Sequence, residues 1–329
     1  MDALSDALRV MGLTGGIFLE CRFTAPWCVV GKVGAEQCRP YFSTPTHVIS
    51  FHFVAEGRCA AALEGQASAC ELIAGDVVLF PHNELHMVGS ALEVPAVPVV
   101  RLLQPPTEPG LPKIVHGGGG VATRLVCGFL GGEALLSPLL QALPSILKIT
   151  LKEIPGGDWI ARSFAYAASD LANGGPGAAT VMSKMSELLF VETLRHFLAQ
   201  EPPERTGWLA SLRDPAIGRA LSLLHSHPER NWTTEDLADQ VHLSRSAFAE
   251  RFTHLLGQPP MRYLTVWRMQ LAAQSLRQGR ATIAQIAYDC GYESEATFTR
   301  AFKREFGTPP SAWRKSISNG DPALSADTE

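Results

Sequence analysis

The sequence predicts an α+β chain of two domains: an N-terminal β-barrel with flanking helices, then a C-terminal all-α domain of tandem helix-turn-helix units. Three observations carry this reading. The 329 residues exceed the roughly 100 to 200 that one domain usually organises. Short β-branched runs bounded by Gly and Pro fill the chain to about residue 130, and beyond residue 207 the pattern becomes helical and repeats itself. A composition of 46% hydrophobic and 18% charged residues excludes collagen, disorder and coiled coil.

No apolar run reaches the ~18 to 20 residues of a membrane span; the stretch from Val88 to Leu103 is broken by Glu93, Pro95 and Pro98. The opening MDALSDALRVMGLTGG carries two Asp before its first Arg, unlike a secretory signal, so the expected address is cytoplasmic with no membrane partner. Seven cysteines form an odd set without a CxxC pair, which argues against a disulfide framework or a zinc ribbon and predicts free thiols.

From Cys21 to Leu130, runs such as HVISFHFV, ELIAGDVVLF and VVRLL read as strands at the spacing of a barrel or sandwich. From Gly132 to Gln200 the period is helical, punctuated by PGGD and NGGPG. In the last of these helices Val181, Met185, Leu188, Leu189, Glu192 and His196 form a stripe suited to packing on the strands or on a second copy of the chain. The polar, Pro-rich QEPPERTG ends this part. The expected division is therefore a strand-rich domain with flanking helices over 1–200, a linker over 201–213, a helical domain over 214–315 and a disordered acidic tail over 316–329.

The internal repeat is the strongest signal. Ser244, Phe248, Phe252, Gly257, Pro259 and Pro260 recur fifty residues later as Ser294, Phe298, Phe302, Gly307, Pro309 and Pro310, whereas Leu237 and Ala238 recur forty-nine later as Ile286 and Ala287. The second copy thus has one extra residue in its turn. Thr233 with Asp236 forms a capping-box start, Ser244 and Ser294 are placed as N-caps worth ~1 kcal/mol each, and Gly257 and Gly307 end the second helices before Pro-Pro pairs. Gly291 supplies the bend in copy two, and the segment 262–279 reads as a long connecting helix. Phe at i and i+4 marks the buried face of each second helix and leaves the other face outward.

Charge follows the same division. The whole chain has a net charge of −4, but residues 208–315 carry fourteen Lys and Arg against ten Asp and Glu, whereas residues 1–200 carry thirteen against seventeen. A segregated basic region is what attraction to phosphates requires, and tandem helix-turn-helix grammar points to double-stranded DNA.

WTTEDLADQVHLSRSAFAERFTHLLGQPPMRYL followed by TIAQIAYDCGYESEATFTRAFKREFGTPPSAWR resembles the AraC/XylS DNA-binding domain from about Asp214 to Arg314. The resemblance implies that the second helix of each unit enters the major groove. DNA would then meet Arg245, Ser246, Ala249 and Glu250 in copy one, and Glu295, Ala296, Thr299, Arg300 and Lys303 in copy two. By chemistry Arg300 suits bidentate reading of guanine, Thr299 a hydroxyl or methyl contact, and Lys303 and Arg245 phosphates. Glu250 departs from this pattern: it can accept from a cytosine amino group but repels phosphate. The resemblance further implies RNA polymerase as a partner, with either a homodimer or a monomeric tandem reader on the operator.

FHFVAEG followed by AGDVVLFPHNELH resembles the two halves of a cupin barrel, with Gly75, Pro81 and His86 at the spacing of the second motif. In metal-binding cupins the first motif reads HxHxxxE; here Ser50, His52 and Glu56 hold those places, so one imidazole is missing. His52, Glu56 and His86 remain a candidate 2-His-1-carboxylate set for a divalent metal, with hydrogen-bonded core histidines as the alternative. No cofactor is required by this reading.

The N-terminal part as a whole is similar to the cupin-type sensory domain of AraC regulators, and its opening with Cys21, together with Cys127 inside LVCG, resembles an oxidant-sensing branch. The resemblance implies redox roles for Cys21 and Cys127, with Cys28 and Cys38 as resolving thiols; Arg22 and Arg39 are the cations adjacent to Cys21 and Cys38. Cys59, Cys70 and Cys290 read as small buried apolar residues. The chain is thus expected to be a transcription regulator that senses a small molecule or an oxidant, not an enzyme. The competing class is a cupin oxygenase with iron at His52, Glu56 and His86. A DNA-compacting protein is the third reading.

Overall fold

Strands covered on both faces are buried residue after residue, as Asp76–Phe80 and residues 125–132 are here. In a computed structural model of the chain, which describes residues 2–34, 38, 47–66, 68–103, 112–132, 137–200 and 206–318, eleven strands are seen. They are β1 (Thr14–Thr24), β2 (Cys28–Gly31), β3 (His47–Glu56), β4 (Arg58–Leu63), β5 (Cys70–Ile73), β6 (Asp76–Phe80), β7 (His86–Gly89), β8 (Val97–Pro98), β9 (Lys113–Gly117), β10 (Ala122–Gly132) and β11 (Leu147–Thr150). One sheet has the order β11-β6-β3-β10-β1-β9 and the other β5-β4-β7-β2-β8. The two share a core that includes Leu19, Phe23, Trp27, Val54, Phe80, Val88 and Leu125. Among the described residues no ladder joins the sheets, so the expected barrel is a two-sheet structure. Its edge strands β5 and β8, four and two residues long, are too short to close it.

Nine of these strands, β2 to β10, start inside the region from Cys21 to Leu130 where the sequence predicts β structure, whereas β11 was expected to be helical. Leu147 and Ile149 are buried and Lys148 is exposed, a period of two too short to distinguish from helix punctuation. The sheet carries helices α3 (Gly157–Ala172) and α4 (Ala178–Gln200); Phe164 of α3 packs edge-on against Phe51 and Phe53. The buried face of α4 is Met182, Ser186, Leu189, Phe190, Thr193 and Leu194. The hydroxyls of Ser186 and Thr193 donate back to the Met182 and Leu189 carbonyls, so two polar side chains are buried at no cost in unpaired groups. That face differs from the predicted stripe: of its members Leu189 is buried, Val181 is 46% exposed, and Met185, Leu188, Glu192 and His196 are half-buried.

The chain divides into two compact units, one of residues 13–132 and 143–200 and one of the described residues within 1–12, 133–142 and 201–329. The expected division at 200 did not assign the first segment to the helical unit. Its helix α1 (Ala3–Met11), N-capped by Asp2, buries Ala3, Ala7, Val10 and Met11, and packs on the helices Pro215–Ser226 and Pro260–Gln278 of that unit. The short α2 (Pro138–Gln141) belongs there as well. Of the predicted linker and tail, residues 201–205 and 319–329 lie outside the described residues.

The helical unit continues with α5 (Trp208–Ser211), α6 (Pro215–Ser226), α7 (Thr234–Gln240), α8 (Arg245–Leu256), α9 (Pro260–Gln278), α10 (Ile283–Asp289), α11 (Glu295–Phe306) and α12 (Pro310–Ser318). A buried polar stack forms part of its first half: Trp208 Nε1 donates to Tyr263 Oη at 2.7 Å, Tyr263 Oη lies 2.7 Å from His225 Nε2, and the His225 ring stacks on Trp267 at 3.7 Å. The second half is an apolar cluster of Met269, Leu276, Ile286, Phe298, Phe302 and Trp313. No described helix is long and apolar enough to cross a membrane.

Candidate nucleic-acid interface and sensory cavity

Local signals build the second helix of each helix-turn-helix unit. The Thr233–Asp236 capping box closes in both directions, and Ser244 and Ser294 accept from the N–H groups of Ala247 and Thr297. Gly257 and Gly307 end α8 and α11 in the left-handed region at φ 69° and 73°. Phe248, Phe252, Phe298 and Phe302 are fully buried. With that face fixed inward, Arg245, Ser246, Glu250, Glu295, Ala296, Arg300 and Lys303 are exposed, and Ala249 and Thr299 half-buried. All nine predicted positions therefore lie off the buried face.

Three arginines fix this frame rather than extend it. Arg251 of α8 pairs with Asp214 at the start of α6 at 2.6 Å. Arg262 of α9 makes a bidentate pair with Glu305 of α11, tying the connecting helix to the second helix of copy two. Arg268 donates to the carbonyls of Pro228 and Arg230 at 2.7 and 2.9 Å and thereby holds the loop before α7. Their roles depend on contacts 37 to 43 residues away and are not visible in the sequence pattern.

In the other unit, strand alternation turns Leu19, Cys21 and Phe23 of β1, Leu125 and Cys127 of β10, and Ser50 and His52 of β3 towards a cavity of about 450 Å³ between the sheets. Cys127 is paired with His52 in the β10–β3 register, and Leu19 with Cys127 in the β1–β10 register, which makes Cys21 a diagonal neighbour of Cys127. The Sγ atoms of Cys21 and Cys127 are 4.0 Å apart. His52 Nδ1 lies 2.9 Å from Cys127 Sγ, and His52 Nε2 lies 2.8 Å from Nε2 of His86, which comes from β7 of the opposite sheet.

The proton positions along this row follow from its far end. His86 Nδ1 is 2.8 Å from the Glu84 carbonyl, which can only accept, so Nδ1 carries the proton and Nε2 offers a lone pair. His52 Nε2 must then donate to His86, leaving His52 Nδ1 to share one proton with Cys127. Burial, and secondarily the charge of His52, pushes the His86 pKa down to about 3, which agrees with its role as a neutral acceptor. The hydrogen bond from the Cys21 thiol, together with the charge and hydrogen bond of His52, outweighs burial and pulls the Cys127 pKa down to about 5. Cys21, held by the same contact and by burial, is raised and remains a thiol.

Several sequence expectations change here. Arg22 does not face Cys21: adjacent strand residues point to opposite sides, and its guanidinium pairs with Glu20 at 3.3 Å. The cation beside a thiol is His52, and it serves Cys127. Cys28 and Cys38 are buried, with Cys38 raised to about 11 by burial, and the thiol in contact with Cys127 is Cys21. Arg39 lies outside the described residues. Cys59 and Cys290 are buried as expected, and Cys70 is half-buried.

The predicted metal set is not assembled. His52 and His86 meet, but the Glu56 carboxylate accepts from Arg124 Nε at 2.9 Å at the end of β3 and is 66% exposed. Among the described residues no group of three His, Cys, Asp or Glu side chains is arranged to hold a metal ion. A resident metal therefore does not fit this donor set, and Ser50 stands where a third imidazole would be needed.

A cupin profile matches residues 2–199 and a helix-turn-helix profile residues 237–316. The chain is 33% identical over 315 residues to an AraC-like transcription regulator of Streptomyces lividans, covering 96% of this chain and 98% of that one. It is 28% identical to the RCS-specific transcriptional activator RclR of Escherichia coli K12, over 96% and 98% of the two chains. Among solved structures, the DNA-binding domain of AdpA in complex with a target DNA matches 33% of this chain and 96% of that one, at 27% identity and a TM-score of 0.31. These relatives are named as transcription regulators. The chain belongs to the AraC family of transcription regulators, with a cupin domain joined to a helix-turn-helix domain that binds double-stranded DNA.

Proposed function

We propose that this regulator is a thiol switch whose sensing element is the row Cys21–Cys127–His52–His86. The observation that carries this reading is a thiolate-forming cysteine buried 4.0 Å from a second thiol and 2.9 Å from an imidazole. With hypochlorite, the Cys127 thiolate takes oxygen to become a sulfenic acid and chloride leaves; the Cys21 thiol then attacks that sulfur, forming the disulfide and releasing water.

The geometry supports a mechanical consequence. Diagonal neighbours in an antiparallel pair have Cα atoms about 7 to 8 Å apart, beyond the ~7 Å a disulfide bridges without backbone movement. Closing the bond must therefore shift β1 against β10. β1 contains an irregular register between Ile17 and Leu19, and its start leads through Leu13 directly into α1, which packs on α6 and α9. Oxidation thus acts on the DNA-reading unit through the chain itself.

On the DNA side, Arg300 reads a base edge, Thr299 contributes a hydroxyl or methyl contact, Arg245 and Lys303 hold phosphates, and Ser246, Ala249, Glu250, Glu295 and Ala296 line the approach. The protein acts in the cytoplasm, with RNA polymerase as partner and a second copy docking along the half-exposed stripe of α4. Footprinting at fixed salt with and without hypochlorite tests this. Occupancy of the operator should change on oxidation in the wild type and stay constant in Cys21→Ser and Cys127→Ser. Equal changes in all three would reject the thiol switch.

A further inference from the structure

The cavity beside the thiol pair is built for something larger and less polar than an oxidant. At about 450 Å³ it falls in the range of ligand sites, and Leu19, Phe23, Val29, Val88, Val99 and Leu125 make much of its wall. The polar groups reaching that wall include three on adjacent strands: Cys127, His52 opposite it, and Ser50 two residues before His52 on the same face of β3. Ser50 is 1% exposed, and its hydroxyl has no hydrogen-bond partner. A buried hydroxyl left unpaired at the wall of a cavity is a donor without an acceptor. A thiolate, a proton carrier and a free donor on one wall are the parts of a conjugate-addition site.

We propose, building on the thiol-switch reading above, that the cavity binds apolar α,β-unsaturated carbonyl compounds and that Cys127 adds to them covalently. The alkyl chain occupies the aliphatic and aromatic wall, and the carbonyl oxygen accepts from Ser50 Oγ. The Cys127 thiolate forms a carbon–sulfur bond at the β-carbon. The π pair of the C=C bond moves onto the α-carbon and the carbonyl oxygen as an enolate, to which the Ser50 hydroxyl donates. His52, protonated when Cys127 gave up its proton, returns that proton to the α-carbon. The products are a thioether and a neutral imidazole, and no external oxidant or reductant is consumed. Ser50, the departure from the cupin motif, thereby gains a role that a metal-ligating imidazole would not fill.

The test uses the full-length protein treated with non-2-enal, with saturated nonanal and with but-2-enal, followed by intact mass, peptide mapping and operator footprinting. One enal per chain should appear on Cys127, nonanal should give no adduct stable to acid, and but-2-enal, which has the same substitution at the β-carbon but only a methyl group for a chain, should react more slowly. Ser50→Ala should slow adduct formation by about ten-fold or more while leaving hypochlorite-driven disulfide formation unchanged. But-2-enal reacting as fast as non-2-enal, label spread over all seven cysteines, or an unaltered rate in Ser50→Ala would each overturn the proposal. If hypochlorite still links Cys21 to Cys127 while the enal leaves the protein unmodified, the addition site is refuted and the thiol switch stands. If neither reagent modifies Cys127, both fail.

Discussion

His52 Nδ1 stands 2.9 Å from Cys127 Sγ, directly opposite it in the pairing of β3 with β10. The contact decides which of two buried thiols ionises. Cys127 has Cys21 as hydrogen-bond donor and His52 as counter-charge, whereas the Coulombic neighbours of Cys21, Cys127 and Glu20, are both negative when ionised. With the Cys127 pKa lowered to about 5, its alkylation by iodoacetamide should be nearly constant from pH 8 to pH 6 and fall only as the pH drops through about 5. An ordinary cysteine loses reactivity below about pH 8.5. His52→Phe removes the cation and should move the midpoint up by more than one pH unit. A midpoint unmoved in that variant, read by mass spectrometry of the Cys127 peptide, would show that His52 does not activate the thiol.

How much of this was legible depended on the range of the physics involved. The caps at Thr233, Ser244 and Ser294, the stops at Gly257 and Gly307 and the Phe pairs are set within a few residues, and the sequence displays them. The thiol row is not local: Cys21 lies 106 residues from Cys127 and His52 lies 75 from it, joined only by strand register. Residue type and family likeness singled out Cys21, Cys127, His52 and His86 separately. What failed was their grouping, because a metal triad and a thiol–imidazole row draw on the same residue types. The position of α1 was hidden for a related reason, since an amphipathic helix announces that it is buried but not against what.

Buried His225 makes the helical unit acid-sensitive. Burial pushes its pKa down to about 3, below the ~6.5 of the unfolded chain. The native state holds it neutral, so stability is full above pH ~6.5 and is lost as pH falls from there towards 3, at about 1.4 kcal/mol per unit. His225→Phe keeps an aromatic ring on Trp267 and removes the titration, but leaves Tyr263 Oη without its acceptor, at a cost of about 1 to 3 kcal/mol. Urea denaturation from pH 8 to pH 4.5 should show the variant weaker at pH 8 and less dependent on pH. Parallel curves for the two proteins would reject His225 as the source.

His242 and Gly291 occupy the same place in the two turns, at φ 57° and 76°. Leu243 N–H donates to the Ala238 carbonyl and Tyr292 N–H to that of Ala287, so the turns match up to this point and the extra residue of copy two is Glu293. A left-handed histidine is strained, and His242→Gly should stabilise by about 0.5 to 1 kcal/mol. The reverse change at Gly291 is blocked twice: a Cβ there would lie 2.6 Å from the Glu229 carbonyl oxygen and 2.6 Å from Arg268 Nη2. Gly291→Ala should therefore cost more than the backbone strain alone. Denaturation midpoints that move the same way in both variants would contradict this assignment.

Arg300 and Lys303 lie one turn apart on α11 and should fail differently. Arg300→Ala removes a planar donor pair suited to guanine, so it should cost about 1 to 3 kcal/mol on the operator and relax preference at one base pair. Lys303→Ala removes a point charge, so it should weaken every sequence alike and reduce the salt slope by about one. Both effects require α11 to be held in place, and the bidentate Arg262–Glu305 pair does this from α9. Glu305 is almost buried, with 6% of its side chain exposed, so Arg262→Ala leaves it with the weaker, mostly exposed Arg304 contact. Gel-shift titrations should then show Arg262→Ala losing operator affinity while the order of base preferences survives, because the reader is displaced rather than altered. A changed base preference in Arg262→Ala, or a uniform loss on all sequences for Arg300→Ala, would reverse the two roles.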